Sequence, residues 1–382
     1  MTSRTPLDNV CDKKIKTLSP HYDGEIEYID ISSIDNIAKV ILNTQVIDSK
    51  EAPSRAKQLV KNGDILVSTV RPNLNAVAVV EKESDHVLVA STGYCVLRCN
   101  SEVNNHYVFH FCQSPYFIED MVRQATGASY PAVSNSIVKS CMIPVRNLKE
   151  QKHIATVLDK VSSLIALRKH QLAKLDELVE SRFAELFVGA GNEEALANLC
   201  TFIDYRGKTP EKTDSGLPFI TAKNVKMHYM SFDTQEFISK ETYDKVMTRG
   251  FPKVGDVVFT TEAPLGNVCR IPHIATEFYI GQRIITMQTD CLEPAYLEYA
   301  LASDEFKRKI AEKSSGSTVT GIRSKLLEQL TIPIPSIELQ KQFAAFVEQT
   351  DKSRLTIQQG LDKLEMMKNA LMQQFFGGVK ND

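Results

Sequence analysis

The chain has 382 residues, of which 43% are hydrophobic and 24% charged, enough to bury two cores of ordinary size and too apolar for a disordered chain. Lys and Arg total 45 against 47 Asp and Glu, a formal charge of -2, so composition announces no general polyanion-binding surface, and any such surface has to be local. No apolar run approaches the roughly 20 residues needed to span a bilayer, and MTSRTPLDNV has no apolar signal core, so a cytoplasmic protein with reduced cysteines is expected.

The first strand signals are EIEYIDISSI (25–34), DILVSTV (64–70), AVAVV (76–80) and HVLVA (86–90), β-branched runs separated by Asn, Gly and Pro. A helical pattern follows over 105–124, interrupted near Pro115, then a polar turn ATGASYPAVSNS and apolar IVKSCMIPV. Residues 148–187 carry apolar side chains spaced by three and four, at 158, 161, 165, 172, 175, 179 and 186, which predicts a helix of about 37 residues, or about 55 Å. Asn147 with Glu150 supplies its cap, and Gly189 to Asn192 end it as a hinge.

The order then repeats. KNGDILVSTVRPNLN from Lys61 recurs as KVGDVVFTTEAPLGN from Lys253, and IPVRNLKEQKHIATVL from Ile143 recurs as IPIPSIELQKQFAAFV from Ile332. The offset drifts only from 192 residues (Lys61 to Lys253) to 189 (Ile143 to Ile332), so nearly the whole chain is two matched units, each too long to be one solenoid repeat. A second long helix is predicted over 337–376, capped by Ser336 with Glu338 in its first turn. Arg168 and Arg182 of the first helix align with Ile357 and Leu371, and Arg354 and Lys368 of the second with Ile165 and Val179. Pairing the two helices with each other, rather than each with a copy of itself, dilutes the cations at the seam, so antiparallel packing of the two is expected.

Catalytic constellations are weak. Adenine methylation needs an Asn-Pro-Pro or Asp-Pro-Pro loop to hold the extruded base, and neither occurs. GSTVTGIRSK (316–325) imitates a phosphate-binding loop, with Gly316 and Gly321 at the right spacing, but puts Ile322 and Arg323 where Lys and Ser/Thr should continue. Cys95, Cys99, His106 and His110 have a zinc-like order, yet the second copy has Ala295 and Tyr299 at the histidine positions, so the fold does not need a metal there. No catalytic residue and no cofactor or metal ligand is assigned.

Base reading instead wants Arg, Lys, Asn, Gln and Ser on loops, because guanine and adenine present acceptors and donors in the major groove. Thr69, Arg71, Asn73 and Asn75 lie on such a loop in the first copy, with Ser129 and Tyr130 on the polar turn. Arg206, Lys208, Thr209, Lys223, Asn224, Thr261, Glu262 and Asn267 lie on loops of the second, with Ser317 and Thr318 on its turn. Arg71 aligns with Ala263 and Asn73 with Leu265, the kind of difference expected if each copy reads its own bases.

The order of two such units, each followed by a long helix, together with GDILVSTVRPN, GDVVFTTEAPLGN, the turn before I-x-x-x-x-I-P and the helix entry IPVRNLKEQKHIA, resembles the specificity subunit of Type I restriction-modification systems. The second entry departs from the first, with Leu339 at the position of Glu150 and Pro335 at that of Arg146. The resemblance implies an α+β fold: two similar mixed α/β target-recognition domains in pseudo-two-fold arrangement, separated by two long antiparallel coiled-coil helices. Its expected segments are a recognition domain at 1–147, a spacer helix at 148–188, a second domain at 189–336 and a second helix at 337–377. It further implies a non-catalytic subunit that reads a bipartite site in double-stranded DNA and docks two methyltransferase subunits. Restriction/translocase subunits can join the assembly, and S-adenosylmethionine and ATP belong to the partners. A coiled-coil adaptor that binds no DNA is the alternative.

Overall fold

A computed structural model describes residues 3–187, 189, 191–205, 207, 210–274, 276–281, 283–313 and 321–377. The chain divides into two compact units, Met1–Gln171 with Ile357–Asp382, and Leu172–Thr356, so each unit takes in a part of both long helices.

In the first unit the strands Ile65–Ser68, Val77–Val79 and Tyr94–Leu97 form an antiparallel sheet with Ile65–Ser68 in the middle. A mixed sheet carries Glu25–Ile29 parallel to Val87–Ser91, flanked by Gln45–Asp48 and Ala56–Leu59. The central strands are buried on both faces, which is why ILVS reads as a continuous apolar run rather than an alternation. Arg4–Pro6 pairs with Met142–Pro144 beside the start of the first long helix. The helical pattern at 105–124 resolves into Asn105–Phe111 and Pro115–Gln124, with Ser114 capping the second and Pro115 at its first turn, where a missing N–H costs nothing.

The second unit repeats these parts. Val257–Thr261 lies between Leu265–Arg270 and Ile284–Gln288, Leu217–Ile220 runs parallel to Tyr279–Ile280, and Asn192–Ala195 pairs with Thr331–Ile334. Hydrogen bonds repeat with the sequence offset. The Tyr107 hydroxyl donates to the Pro144 carbonyl at 3.1 Å, and that of Tyr296 to Pro333 at 2.5 Å. The Gln151 side chain accepts from the Asn104 N–H at 2.8 Å and donates to the Arg146 carbonyl at 2.8 Å. Gln340 accepts from Glu293 N–H and donates to Pro335, each at 3.0 Å. Both glutamines are buried, so each locks a helix start to the body of its own unit with no polar atom wasted.

The long helices span Leu148–Phe187 and Ile337–Phe376, 40 residues each. Asn147 accepts the Glu150 N–H at 2.9 Å and Ser336 that of Leu339 at 3.4 Å. Within each unit the two helices run antiparallel. In the first, Ile154 and Leu158 share a core with Met372 and Phe376, and Lys169 pairs with Glu365 at 2.9 Å. In the second, Phe183 and Phe187 pack on Phe343, and Arg354 pairs with Asp176 at 2.5 Å. The predicted seam positions are all buried or half-buried, Leu158, Val161 and Val179 most deeply. Two of the seam cations find local partners on their own helix: Arg168 donates to Gln171 at 2.9 Å and Arg182 to Glu185 at 2.6 Å. No helix among the described residues is long and apolar enough to cross a membrane.

Candidate nucleic-acid interface

In the first unit the site begins where Ile65–Ser68 ends. Thr69 is buried, donating its hydroxyl and its N–H to the Gly93 carbonyl, each at 2.9 Å. The chain then turns through Pro72–Leu74, held open by left-handed Arg71 and Asn75 at φ 49° and 46°. A second loop closes against it: Val133 N–H donates to Thr69 at 2.9 Å, Arg71 N–H to Pro131 at 2.7 Å, and Val70 and Ala132 form a bridge. Gly127, at φ 104°, makes the tight turn, since a Cβ there would lie 2.8 Å from the Tyr130 carbonyl. The result is a raised edge on which Ser129 and Tyr130 are exposed, with the Arg71 guanidinium over the Tyr130 ring at 5.0 Å. Asn73 is exposed on the same edge. Asn75 is not: its amide donates to the Cys112 carbonyl at 2.8 Å and accepts from Lys39 Nζ at 3.0 Å.

The second unit builds the same edge from different side chains. Thr261 N–H donates to Arg283 O at 2.8 Å, Ile322 N–H to Thr261 O at 3.0 Å, and Glu262 bridges Gly321. Ala263 takes the left-handed position of Arg71, at φ 46°. The guanidinium has moved: Arg283, at the place of Gly93, pairs with Glu262 at 2.9 Å, both side chains about half exposed. This unit thus presents a donor fork beside a carboxylate acceptor, where the first presents Arg71 against an aromatic ring.

The remaining predicted residues divide by burial. Asn224 is buried and fully used, accepting from the Thr221 N–H at 2.9 Å and donating to Ser231 and Thr234 carbonyls at 3.0 and 2.8 Å. Asn267 donates to the Val225 carbonyl at 2.9 Å, and Thr261 is buried. Lys223 is exposed, 3.8 Å from Glu236. Arg206, Lys208, Thr209, Ser317 and Thr318 lie outside the described residues. His106 and His110 converge on Asp159, at 3.2 and 2.7 Å, rather than on Cys95, whose thiol burial pushes up to about 12.

The sequence model described as Type I restriction modification DNA specificity domain matches residues 6–177 and again 195–366. The chain belongs to that family. Two specificity subunits of Methanocaldococcus jannaschii are similar to this specificity-domain chain. The Type I restriction enzyme MjaVIII specificity subunit is 23% identical over 286 residues, covering 68% of this chain and 67% of the relative. The putative type I restriction enzyme MjaX specificity subunit is 24% identical over 382 aligned residues, covering 91% of this chain and 84% of the relative. The fold is similar to that of the Type-I restriction-modification system S subunit from M. genitalium, with TM-score 0.60, 15% identity and coverage of 99% and 96% of the two chains. A chain from a study of complex assembly and conformational transition of the type I R-M system gives TM-score 0.58 at 23% identity, covering 98% of each. The two family segments correspond to the two copies that the sequence repeat defines.

Two features of this specificity-domain chain escape a sequence reading. Arg283 sits in GQRII, which shares no text with its counterpart STGYC, so only the strand pairing equates it with Gly93. Lys39 and His228 are the left-handed corners of equivalent hairpins, at φ 61° and 66°, in segments with little common sequence. Gln151 and Gln340, by contrast, stand in the repeated helix entry, and their recurrence at matched positions was a usable signal.

Proposed function

We propose that this chain is the non-catalytic sequence-recognition subunit of a type I restriction-modification complex, each copy reading one half of a bipartite target in double-stranded DNA. The observation that carries the reading is the duplicated edge. Backbone bonds from Val133 to Thr69 and from Ile322 to Thr261 recur, while the side chains on the edges differ. A shared scaffold with private side chains is what two readers of different sequences require. Arg71 matches the two acceptors of guanine, and Glu262 beside Arg283 offers both an acceptor for a cytosine amino group and a donor fork. Ser129 and Tyr130 are placed to meet the sugar-phosphate backbone.

The two helices are proposed to set the gap between half-sites and to dock two methyltransferase subunits, with restriction/translocase subunits joining them. Exposed Leu164, Leu167, Leu178, Leu355 and Met366 leave apolar surface on the helices for such partners. S-adenosylmethionine and ATP would be held by those partners, which would extrude and methylate one adenine per half-site. The test is electrophoretic retardation of a split-site duplex by the chain reconstituted with its methyltransferase. Selective retardation, lost when the gap is lengthened or shortened, is expected. Assembly with the methyltransferase but no sequence-selective retardation would favour a coiled-coil adaptor.

A further inference from the structure

The duplication provides an internal control for a cavity that neither the fold nor DNA reading uses. In the first unit a cleft of about 790 Å³ lies between the hairpin at Lys39, the helix Asn105–Phe111 and the two long helices. Val79, Phe109, His110, Ser162, Lys39 and Lys368 line it. In the second unit an ionic cluster stands at the equivalent positions. There Arg270, at the strand position of Val79, pairs with Glu298 at 2.6 Å and with Asp351 at 3.0 Å. Glu298 and Asp351 align with Phe109 and Ser162. His228, the counterpart of Lys39, also binds Glu298, at 2.9 Å, and stacks on Tyr299, the counterpart of His110, with centroids 4.2 Å apart.

In the first unit two buried polar atoms of this cleft have no partner. His110 is 1% exposed, with its Nε2 on Asp159 at 2.7 Å and its Nδ1 buried without a hydrogen-bond partner. Ser162 Oγ is also buried without a partner. Among the described residues neither Lys39 nor Lys368 has a carboxylate within ion-pair distance, and each ammonium lies in the field of the other or of another lysine. Burial lowers the Lys39 ammonium to about 8, with Lys368 adding to the fall, and burial lowers Lys368 as well, with Lys169 adding. Buried polar atoms are ordinarily paired, and two desolvated cations facing a common space are costly unless an anion joins them. Two carboxylates also line the cleft, and both are engaged: Asp159 by His106 and His110, and Glu81 by His106 at 3.2 Å.

We propose that this cleft is a binding site for a phosphate group, held between Lys39 and Lys368 with Ser162 as a hydroxyl donor, and with room beside Phe109 and Val79 for an apolar or planar moiety. A phosphate supplies several strong acceptor oxygens, to Lys368 and Ser162, which among the described residues lack one, and to Lys39 beside its bonds to Asn75, and its charge offsets the two ammonium groups. Because Lys39 also donates to Asn75 at the end of the Arg71 loop, the occupant would touch a residue that shapes the reading edge. The source is a free phosphate monoester or a backbone phosphate of bound DNA, and the two are separable.

The experiment is calorimetric titration of the full chain with inorganic phosphate and with adenosine 5′-monophosphate, alongside duplex retardation. It is repeated on Lys368→Met, Ser162→Ala and the outward Lys160→Met control. Saturable binding of either small probe, weakened about ten-fold or more by Lys368→Met and by Ser162→Ala but unchanged in Lys160→Met, is expected for a free monoester. Absence of small-probe binding together with a loss of duplex affinity of that size, confined to the same two variants, assigns the site to backbone phosphate. No probe binding and unchanged duplex affinity in both variants, with near-ultraviolet circular dichroism showing them folded, would overturn the proposal. DNA binding that fails in the wild type while a small probe still binds leaves this site standing without the reading proposed above.

Discussion

The ring of Phe376, at the end of the second long helix, lies 5.2 Å from that of Tyr107 in the first unit. Phe187, at the end of the first long helix, lies 4.8 Å from Tyr296 in the second. Each helix therefore starts on the unit whose sequence it follows and ends as core of the other, with both phenylalanines fully buried. Arg4 reinforces the first of these seats by donating to the Phe376 and Gly377 carbonyls, each at 2.9 Å.

Removing either ring should open a cavity where a helix end is anchored. Phe376→Ala and Phe187→Ala are each expected to cost about 3–5 kcal/mol, read as a fall in the urea midpoint. Hydrogen exchange should locate the loss around Tyr107 in the first variant and around Tyr296 in the second. Equal loosening of both regions by either substitution would contradict separate anchoring.

Arg71 and Asn224 should behave oppositely despite both being loop residues of a kind that reads bases. Arg71→Ala is expected to weaken DNA binding by about 1–3 kcal/mol and to relax one half-site, and Arg71→Lys to restore affinity better than selectivity, because an ammonium lacks the two-pronged match to guanine. Competition retardation with half-site variants measures this.

Asn224→Ala is instead expected to lower stability by about 1–3 kcal/mol, since it strands buried partners at Thr221, Ser231 and Thr234, while leaving base preference unchanged. Thermal or urea denaturation set beside the same competition assay separates the two outcomes. Altered base preference in a fully stable variant would place Asn224 among the readers after all.

Glu27 supplies a pH signature. Burial pushes its carboxyl up, but hydrogen bonds from Lys82, Ser84 and Thr44 and the Lys82 charge outweigh that and hold it at about 2, against an ordinary 4.5. A carboxylate depressed in the folded state stabilises above its unfolded value and loses that contribution as pH falls from 4.5 through about 2. Lys82→Met should therefore be less stable than the parent at neutral pH, on the order of 2 kcal/mol given that Lys82 is half exposed. The gap should close towards pH 2, and a gap independent of pH would show that Lys82 acts through packing alone.

What the sequence makes legible follows from periodicity and repetition. The seam at Leu158, Val161 and Val179, the caps at Asn147 and Ser336, and the strand at Ile65–Ser68 all announce themselves through local pattern. The exchange of helix ends does not, because the pairing of Phe376 with Tyr107 is a long-range contact that no local spacing encodes. Loop polarity is also ambiguous. Asn75, Asn224 and Asn267 look like readers in sequence, yet each spends its amide on a backbone carbonyl, while Arg71, Tyr130 and Lys223 are exposed to a partner. Only burial separates the two kinds.

The central claim is that two edges of common backbone and different side chains read two separate stretches of DNA. Its most direct test is the methylation pattern of DNA from cells expressing this chain with its methyltransferase, read at single-base resolution. A motif of two short specified halves around an unspecified gap of fixed length is expected, with the Arg71→Ala chain relaxing one half and leaving the other intact. A single contiguous motif, or simultaneous relaxation of both halves, would contradict the account.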